Sequence, residues 1–149
     1  MPVNPDLVDR VFAPTSPYLV GREKVREFAR AVFADAAQHH DVAAAQALGF
    51  ADVVAPPTFA MVIQDLTLQQ LLGDPDAGIV LSRTIHAEQG FDYTRPIVAG
   101  DELTATLRVT GIRAMGAASR VTSEAAIVDA SGAPVVTATS VLLIGEDDA

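Results

Sequence analysis

The sequence predicts an α+β fold in which a curved antiparallel sheet wraps around one central, apolar helix. Residues 57–72 are apolar on nearly every side of a helix, and the second half of the chain alternates between apolar and polar residues. A helix that is apolar all round must be enclosed, and alternating strands offer a dry face that can enclose it. The length of 149 residues fits one domain, so we expect residues 1–149 to form a single unit.

The first part of the chain predicts an extended lead-in followed by two helices. Four prolines fall within the first twenty residues and favour extended structure there. Residues 22–33 carry apolar side chains at the i, i+3, i+4 and i+7 positions, which predicts an amphipathic helix. The alanine-rich stretch 41–48 predicts a short second helix, with Asp41 as its cap and Gly49 closing it.

The predicted central helix comes next and is followed by four strands. Pro56 and Pro57 fit at the start of this helix, where missing N–H groups cost least, and Gly73 ends it. The predicted strands are 80–93, 102–110, 120–128 and 135–144.

The connections and the edges of this sheet complete the predicted architecture. Gly100-Asp101 predicts a turn before the strand 102–110, and a turn at Ala130-Ser131-Gly132 separates the last two strands. The acidic residues 146–149 are expected to fray. A single such sheet has exposed edges and an apolar flank. We therefore expect a dimer that continues the sheet.

Composition and charge exclude several classes of function. The 10 Lys and Arg residues against 19 Asp and Glu residues give a net charge of −9, which disfavours nucleic acid and anionic membrane surfaces as partners. There are no cysteines, so disulfides, thiolate metal sites and cysteine nucleophiles are excluded. No signal peptide or membrane-spanning run is evident, and we expect a cytoplasmic protein. Glycine-rich phosphate loops and metal-ligand sets are absent, so no cofactor and no metal are expected.

Several sequence strings resemble a known family. They are Tyr18-Leu-Val-Gly-Arg-Glu-Lys-Val-Arg-Glu-Phe28, Ala47-Leu-Gly-Phe50, Val54-Ala-Pro-Pro-Thr-Phe59, His86-Ala-Glu-Gln89 and Tyr93-Thr-Arg-Pro-Ile-Val-Ala-Gly-Asp101. Together they resemble the MaoC-like dehydratases and hydratases, which have the hot-dog fold. Within that superfamily, the sequence is similar to HadA-type subunits of (3R)-hydroxyacyl-ACP dehydratases and their actinobacterial relatives.

The resemblance implies a hydro-lyase reaction, the reversible loss of water from a (3R)-3-hydroxyacyl thioester of ACP or CoA in fatty-acid biosynthesis. This chemistry needs an acid–base group at C2 and C3 and a hydrogen-bond donor to the thioester oxygen. Hydratases of the superfamily supply the first with an Asp-x-x-x-x-His motif. They supply the second with a glycine N–H at the start of the enclosed helix.

Both elements are altered in this chain. Alignment on His39-His40-Asp41 places His39 at the family histidine and Ala34 at the family aspartate, with Asp35 one residue away. A second register pairs Asp35 with His40 at the family spacing but breaks the match downstream, and the first register is favoured. His39 and Asp35 are therefore the candidate catalytic residues.

The carbonyl-binding element is altered because Pro57 occupies the position of the glycine donor and has no N–H. Thr58 or Phe59 would then donate from the next helical positions. HadA-type subunits also carry proline here, so the resemblance implies a substrate-holding subunit whose HadB-like partner supplies the aspartate and histidine.

The remaining candidate substrate-binding residues lie along the central helix and the first long strand. Phe59 and Val62 are core positions that are expected to line an acyl tunnel. His86 and Gln89 belong to a family string, and simple alternation puts His86 and Glu88 on one face of the strand and Gln89 on the other.

Three alternatives remain open at this point. The first is a self-sufficient (R)-specific enoyl-CoA hydratase that uses His39 and Asp35, and the second is a noncatalytic acyl-thioester binding protein. A hot-dog thioesterase is the third. The oligomer is expected to be a homodimer or a heterodimer with a HadB-like subunit.

Overall fold

A computed structural model describes residues 3–145 of the chain. The acidic residues 146–149, which we expect to fray, lie outside this range. The helices are α1 (Arg22–Ala31), α2 (Val42–Ala47) and α3 (Ala60–Leu72), and the strands are β1 (Tyr18–Leu19), β2 (Thr84–Tyr93), β3 (Glu102–Ala114), β4 (Ala118–Val128) and β5 (Pro134–Gly145). Short 3₁₀ turns cover Pro5–Leu7, Ala37–His39, Pro57–Phe59 and Leu81–Arg83.

The strands form one antiparallel sheet in the order β1-β3-β4-β5-β2. Helix α3 packs against β3, β4 and β5, so the predicted sheet around a central helix is confirmed. β2, the first long strand, pairs with β5, the last strand, and forms one edge of the sheet. The lead-in contains a strand that we did not predict, because β1 is only two residues long and pairs with the start of β3.

The predicted helices are confirmed with small changes at their ends. The central helix begins as a 3₁₀ turn at Pro57–Phe59 and continues as α3, a common form for a helix start. In α2, the Asp41 side chain accepts a hydrogen bond from the Ala44 amide at 2.7 Å, which confirms its role as cap. Helix α1 ends at Ala31 rather than near residue 33, because Phe33 has a φ of 58°, which is left-handed and not helical.

The predicted strands also differ at their ends. β2 begins at Thr84 rather than at residue 80, because Leu81–Arg83 forms a 3₁₀ turn. β3 continues to Ala114 because its pairing with β4 extends to the tight turn before Ala118.

The core divides into two apolar clusters with a polar band between them. One cluster contains Ile63 and Ala138 and the other contains Leu71 and Leu142. Four fully or almost fully buried polar residues occupy the inward-facing positions between the clusters, and we call them the polar belt: Gln64, Thr67, Ser123 and Ser140. Their hydrogen bonds are made to one another and to neighbouring backbone and side chains, so the belt is stable in the core.

Candidate active site

A cavity of about 440 Å³ opens beside the start of the central helix. Three segments enclose it: the 3₁₀ turn that contains His39, the stretch that leads into the helix, and the end of β2 with the loop after it. Its lining residues are Gln38, His39, Val54, Ala55, Pro57, Tyr93, Thr94, Arg95, Pro96 and Ile97. The lining is mostly apolar with a few polar groups, as small-molecule sites usually are.

His39, which the sequence analysis named as a candidate catalytic residue, lines the cavity. Its side chain is buried, with 9% of its surface exposed, and Nδ1 lies 2.6 Å from the Val54 carbonyl oxygen. Because a carbonyl oxygen only accepts hydrogen bonds, Nδ1 carries the hydrogen, and the neutral ring has its lone pair on Nε2. The ring therefore has the tautomer of a potential general base.

Neighbouring contacts fix the turn that carries His39. The Nε2 atom of His40 donates to the Ala34 carbonyl oxygen at 2.8 Å, and the Arg26 guanidinium donates to the His40 carbonyl oxygen at 2.8 Å. The Val54 amide donates to the Gln38 carbonyl oxygen at 2.9 Å. These bonds hold the His39 turn against α1 on one side and against the entry to the central helix on the other.

Tyr93 connects the end of β2 to the start of the central helix. Its hydroxyl donates a hydrogen bond to the Pro57 carbonyl oxygen at 2.5 Å. Burial raises the pKa of Tyr93 to about 12, against a smaller opposing effect of the Ala60 backbone amide. The phenol is therefore neutral at physiological pH and is a hydrogen-bond donor in the cavity wall. Sequence reasoning missed Tyr93, although it begins one of the strings that carry the resemblance.

The two backbone amides expected to replace the glycine donor differ in availability. The Phe59 amide donates to the Pro56 carbonyl oxygen at 2.9 Å, and its ring is fully buried, edge-on to Phe28 at 5.3 Å between centroids. The Thr58 amide makes no hydrogen bond within residues 3–145, and the residue is exposed. Phe59 is thus a core residue, and of the two amides only that of Thr58 is available.

Arg95 forms part of the cavity wall and is held by two carboxylates. It makes a two-bond ion pair with Asp101, at 2.9 and 3.0 Å, and a further contact with Asp129 at 3.3 Å. Gly100 has a φ of 95°, which confirms the predicted turn before β3. The Asp101 carboxylate also accepts from the Val98 amide at 2.9 Å. The string from Tyr93 to Asp101 is therefore a braced loop that shapes the cavity.

The remaining predicted site residues do not line the cavity. Asp35 is exposed and is not among the lining residues, so the structure does not bring it to the cavity beside His39. Val62 is half-buried and packs against the core cluster that contains Ile63. His86 and Gln89 lie nearer the start of β2 than Tyr93 does, and they do not line the cavity.

The expected faces of His86, Glu88 and Gln89 are wrong, because a β-bulge interrupts the alternation of β2. His86 pairs with Leu142 and Glu88 with Val141, so Ala87 is an additional residue, and His86 and Gln89 share one face. The Nε2 atom of His86 lies 3.0 Å from Gln89 Oε1, and the Gln89 amide donates to Gln64 Oε1 at 2.6 Å. Both side chains therefore join the polar belt from the sheet edge.

The chemistry that the cavity offers is incomplete for a hydration reaction. His39 can accept a proton, and Tyr93 can donate a hydrogen bond, but none of the cavity-lining side chains among residues 3–145 is a carboxylate. In the same part of the chain, no three His, Asp or Glu side chains come together in a group that could hold a metal ion. None of the helices in residues 3–145 is long and apolar enough to cross a bilayer.

Comparison with known families identifies the chain at the level of family. The model of the FAS1-like dehydratase domain region matches residues 7–138. The chain belongs to this family. This FAS1-like dehydratase domain is 60% identical to a UPF0336 protein of Clavibacter michiganensis, over the whole of both chains.

Solved structures confirm the hot-dog fold of this FAS1-like dehydratase domain. One is a chain of the C-terminally truncated HadBC complex, a (3R)-hydroxyacyl-ACP dehydratase from Mycobacterium tuberculosis, with a TM-score of 0.84 and 29% identity over 93% of this chain and 97% of that chain. Another is a MaoC-like dehydratase with a TM-score of 0.84 and 35% identity, over 95% of this chain and 43% of that one. The predicted hot-dog fold is therefore confirmed, and the family shown is that of the FAS1-like dehydratase domain.

Proposed function

We propose that this chain is the substrate-holding subunit of a dehydratase that interconverts (3R)-3-hydroxyacyl and trans-2-enoyl thioesters of ACP or CoA in fatty-acid biosynthesis. In this proposal a second subunit of the same family carries the Asp-x-x-x-x-His motif and performs the acid–base step. The family, the fold and the apolar cavity at the start of the central helix support the reaction class.

We assign the acid–base step to a partner subunit because none of the cavity-lining residues in the described part of the chain is a carboxylate. Ala34 stands at the position of the family aspartate, and Asp35 is exposed outside the cavity. Loss of a positioned acid or base lowers rates by about 10²–10⁴-fold, which is too much for an efficient isolated enzyme. A subunit of this kind needs a partner that completes the site.

A two-component assembly also has a precedent among similar structures. The HadBC structure is described as a complex, and one of its chains covers almost the same length as this protein. In the proposed assembly, the apolar cavity and the wall formed by Tyr93 and Arg95 hold the acyl thioester. The partner presents its acid–base pair to C2 and C3 of the bound substrate.

The test is a hydration assay with crotonyl-CoA, which follows the loss of enoyl thioester absorbance. The pure chain is assayed alone and after co-purification with the family subunit of the same genome that retains the Asp-x-x-x-x-His motif. We expect little or no activity from the pure chain and full activity from the pair. Replacing the partner's motif histidine by alanine is the control and should abolish the activity of the pair.

A self-sufficient hydratase is the second candidate, and the tautomer of His39 favours it. The bond from Nδ1 to Val54 leaves a basic Nε2 on a residue that lines the cavity. This candidate predicts that the pure chain is fully active and that replacing His39 abolishes the activity. A chain that binds crotonyl-CoA but stays inactive with and without the partner would instead be a noncatalytic thioester-binding protein.

A further inference from the structure

Removal of water from a 3-hydroxyacyl thioester places negative charge on the thioester oxygen, because C2 loses a proton next to the carbonyl group. A hydrogen-bond donor aimed at this oxygen is therefore among the largest contributions that a site can make. In this chain the side chains of the cavity wall that can donate are those of Gln38, His39, Tyr93, Thr94 and Arg95. The free Thr58 amide is not part of this wall, because Thr58 does not line the cavity.

Two of these donors are already engaged in holding the wall together. The Arg95 guanidinium makes a two-bond pair with Asp101, contacts Asp129 and donates to the Pro96 carbonyl oxygen at 3.0 Å. His39 uses the hydrogen on Nδ1 for the Val54 carbonyl oxygen. Turning either donor to a substrate would take a hydrogen bond from a largely buried acceptor, since Val54 is 7% exposed and the Asp101 side chain is 13% exposed. Tyr93 differs because Pro57, which accepts its hydrogen bond, is exposed.

Two further donors are held less firmly than Tyr93. Thr94 is exposed and Gln38 is half-buried, and a flexible amide loses rotamer freedom when it is fixed on a ligand. The Tyr93 ring, in contrast, packs against the core cluster and lies 6.2 Å from the Phe91 ring between centroids. Its hydroxyl is held in the cavity wall by the hydrogen bond to the Pro57 carbonyl oxygen.

We infer that the Tyr93 hydroxyl is the donor to the thioester carbonyl oxygen and takes the place of the amide that Pro57 lacks. This inference rests on the proposed function and names a catalytic residue of the same site. When the thioester binds, the O–H bond turns from the Pro57 carbonyl oxygen to the substrate oxygen. Pro57 is exposed, so water satisfies its carbonyl group after the exchange.

Tyr93 keeps its proton throughout, because the step is a hydrogen bond and no bond to hydrogen breaks. Burial supports this role because it raises the pKa of Tyr93 to about 12 and keeps the phenol neutral at working pH. Even with a pKa of about 12, a neutral phenol is far more acidic than a backbone amide and is therefore the stronger hydrogen-bond donor.

The test uses the absorption spectrum of 2,4-hexadienoyl-CoA bound to the pure chain. A hydrogen bond to the carbonyl group of a conjugated thioester polarises it and shifts its absorption to longer wavelength. We expect a red shift with the wild-type chain and its loss in Tyr93→Phe. Tyr18→Phe is the matched control, because Tyr18 packs against the same core cluster but does not line the cavity, and it should keep the shift.

Kinetics of the two-subunit enzyme give a second readout. Tyr93→Phe should lower kcat by about 10²-fold with little change in KM, because the bond strengthens as charge develops. Tyr18→Phe should leave both constants unchanged.

The possible outcomes separate this inference from the proposed function. A red shift that survives in Tyr93→Phe overturns the role of Tyr93, and so does binding without a red shift in the wild-type chain. Neither result affects the dehydratase proposal, which the hydration assay tests separately. A Tyr93-dependent shift in a chain that stays inactive with its partner supports the donor and overturns the dehydratase function. Failure to bind the probe at millimolar concentration overturns both.

Discussion

At the scale of single residues, His39 combines a structural bond with a possible chemical role, and two substitutions separate them. Asparagine retains an N–H that can reach the Val54 carbonyl oxygen but has no counterpart of the basic Nε2 atom. We expect His39→Asn to change the activity of the two-subunit enzyme by less than about threefold, because a missing base would cost ~10²–10⁴-fold and the partner supplies that base.

His39→Ala provides the structural comparison. It removes the hydrogen bond to Val54 and should lower the free energy of unfolding by about 1 kcal/mol. Urea unfolding measures this loss, and His39→Asn should unfold close to the wild-type midpoint. A drop of a hundredfold or more in activity with His39→Asn would make His39 the base and favour the self-sufficient hydratase.

Asp129 predicts a dependence of stability on acid pH. Hydrogen bonding from Ser131, with a smaller effect of Arg95, lowers the pKa of Asp129 to about 2. An unfolded aspartate has a pKa of about 3.9, so the folded chain prefers the charged form, and its stabilisation is present above pH 4 and lost as the pH falls towards 2. Asp129→Asn should therefore be less stable than wild type at pH 6, and the difference should shrink on acidification.

Urea midpoints between pH 2 and pH 6 measure this effect. The control is Asp92→Asn, since Asp92 is exposed and makes no hydrogen bond or ion pair within residues 3–145. A difference between Asp129→Asn and wild type that stays constant from pH 6 to pH 2 would contradict the assigned role of Asp129.

The loop from Tyr93 to Asp101 shows what could be predicted residue by residue. Its turn at Gly100 follows from local chemistry, because glycine adopts a positive φ without strain, and the turn was predicted. The contact between Arg95 and Asp129 was not, since it joins residues that come together only through the register of the sheet. The cavity role of Tyr93 depends on the same long-range geometry.

At the scale of elements, α3 offers a comparison of two leucines on one helix. Leu71 is fully buried in the core, whereas Leu66 is half-buried. Leu71→Ala should lower the free energy of unfolding by about 2–5 kcal/mol through lost burial and a new cavity. Leu66→Ala should cost clearly less, and chemical denaturation of both variants measures the difference. Equal costs would show that the helix is not enclosed as described.

Periodicity predicted the elements better than it predicted their details. The apolar circumference of residues 57–72 and the alternation of 102–110 correctly identified a central helix and a sheet strand. The β-bulge at Ala87 could not be predicted because alternation assumes that every residue of a strand has one partner. The polar belt was also missed, since a buried Gln64 is stable only with partners from β2.

At the scale of the whole molecule, the free edge of β2 predicts association. Leu81 lies just before this edge strand and Ile85 lies within it, and they expose 69% and 65% of their surfaces. Edge strands with exposed apolar residues favour pairing with a further chain. We expect the pure chain to be a dimer or larger in sedimentation at micromolar concentration.

Charged substitutions test whether this edge forms the interface. Ile85→Lys should shift the equilibrium towards monomer. Leu19→Lys is the matched control, because Leu19 is similarly exposed, at 68%, and lies in β1 at the opposite edge of the sheet. A wild-type chain that sediments as a monomer would contradict the prediction. A dimer that is unaffected by Ile85→Lys would place the interface elsewhere.

The sheet order also has a consequence for the synthesis of this protein on the ribosome. β2 is made before β3, but it pairs with β5, which is made last. The backbone of Thr84 therefore has no strand partner until Ile144 has been synthesised. A nascent chain that ends after β4 lacks β5, which lies between β4 and β2 in the sheet. β2 is then unpaired, and the sheet does not yet enclose the central helix. Folding is slow when it depends on pairing between strands that are far apart in sequence, and unpaired strands are prone to aggregate before the pairing forms. The last twelve residues of the sheet, Pro134–Gly145, therefore decide when the nascent chain can become a stable protein.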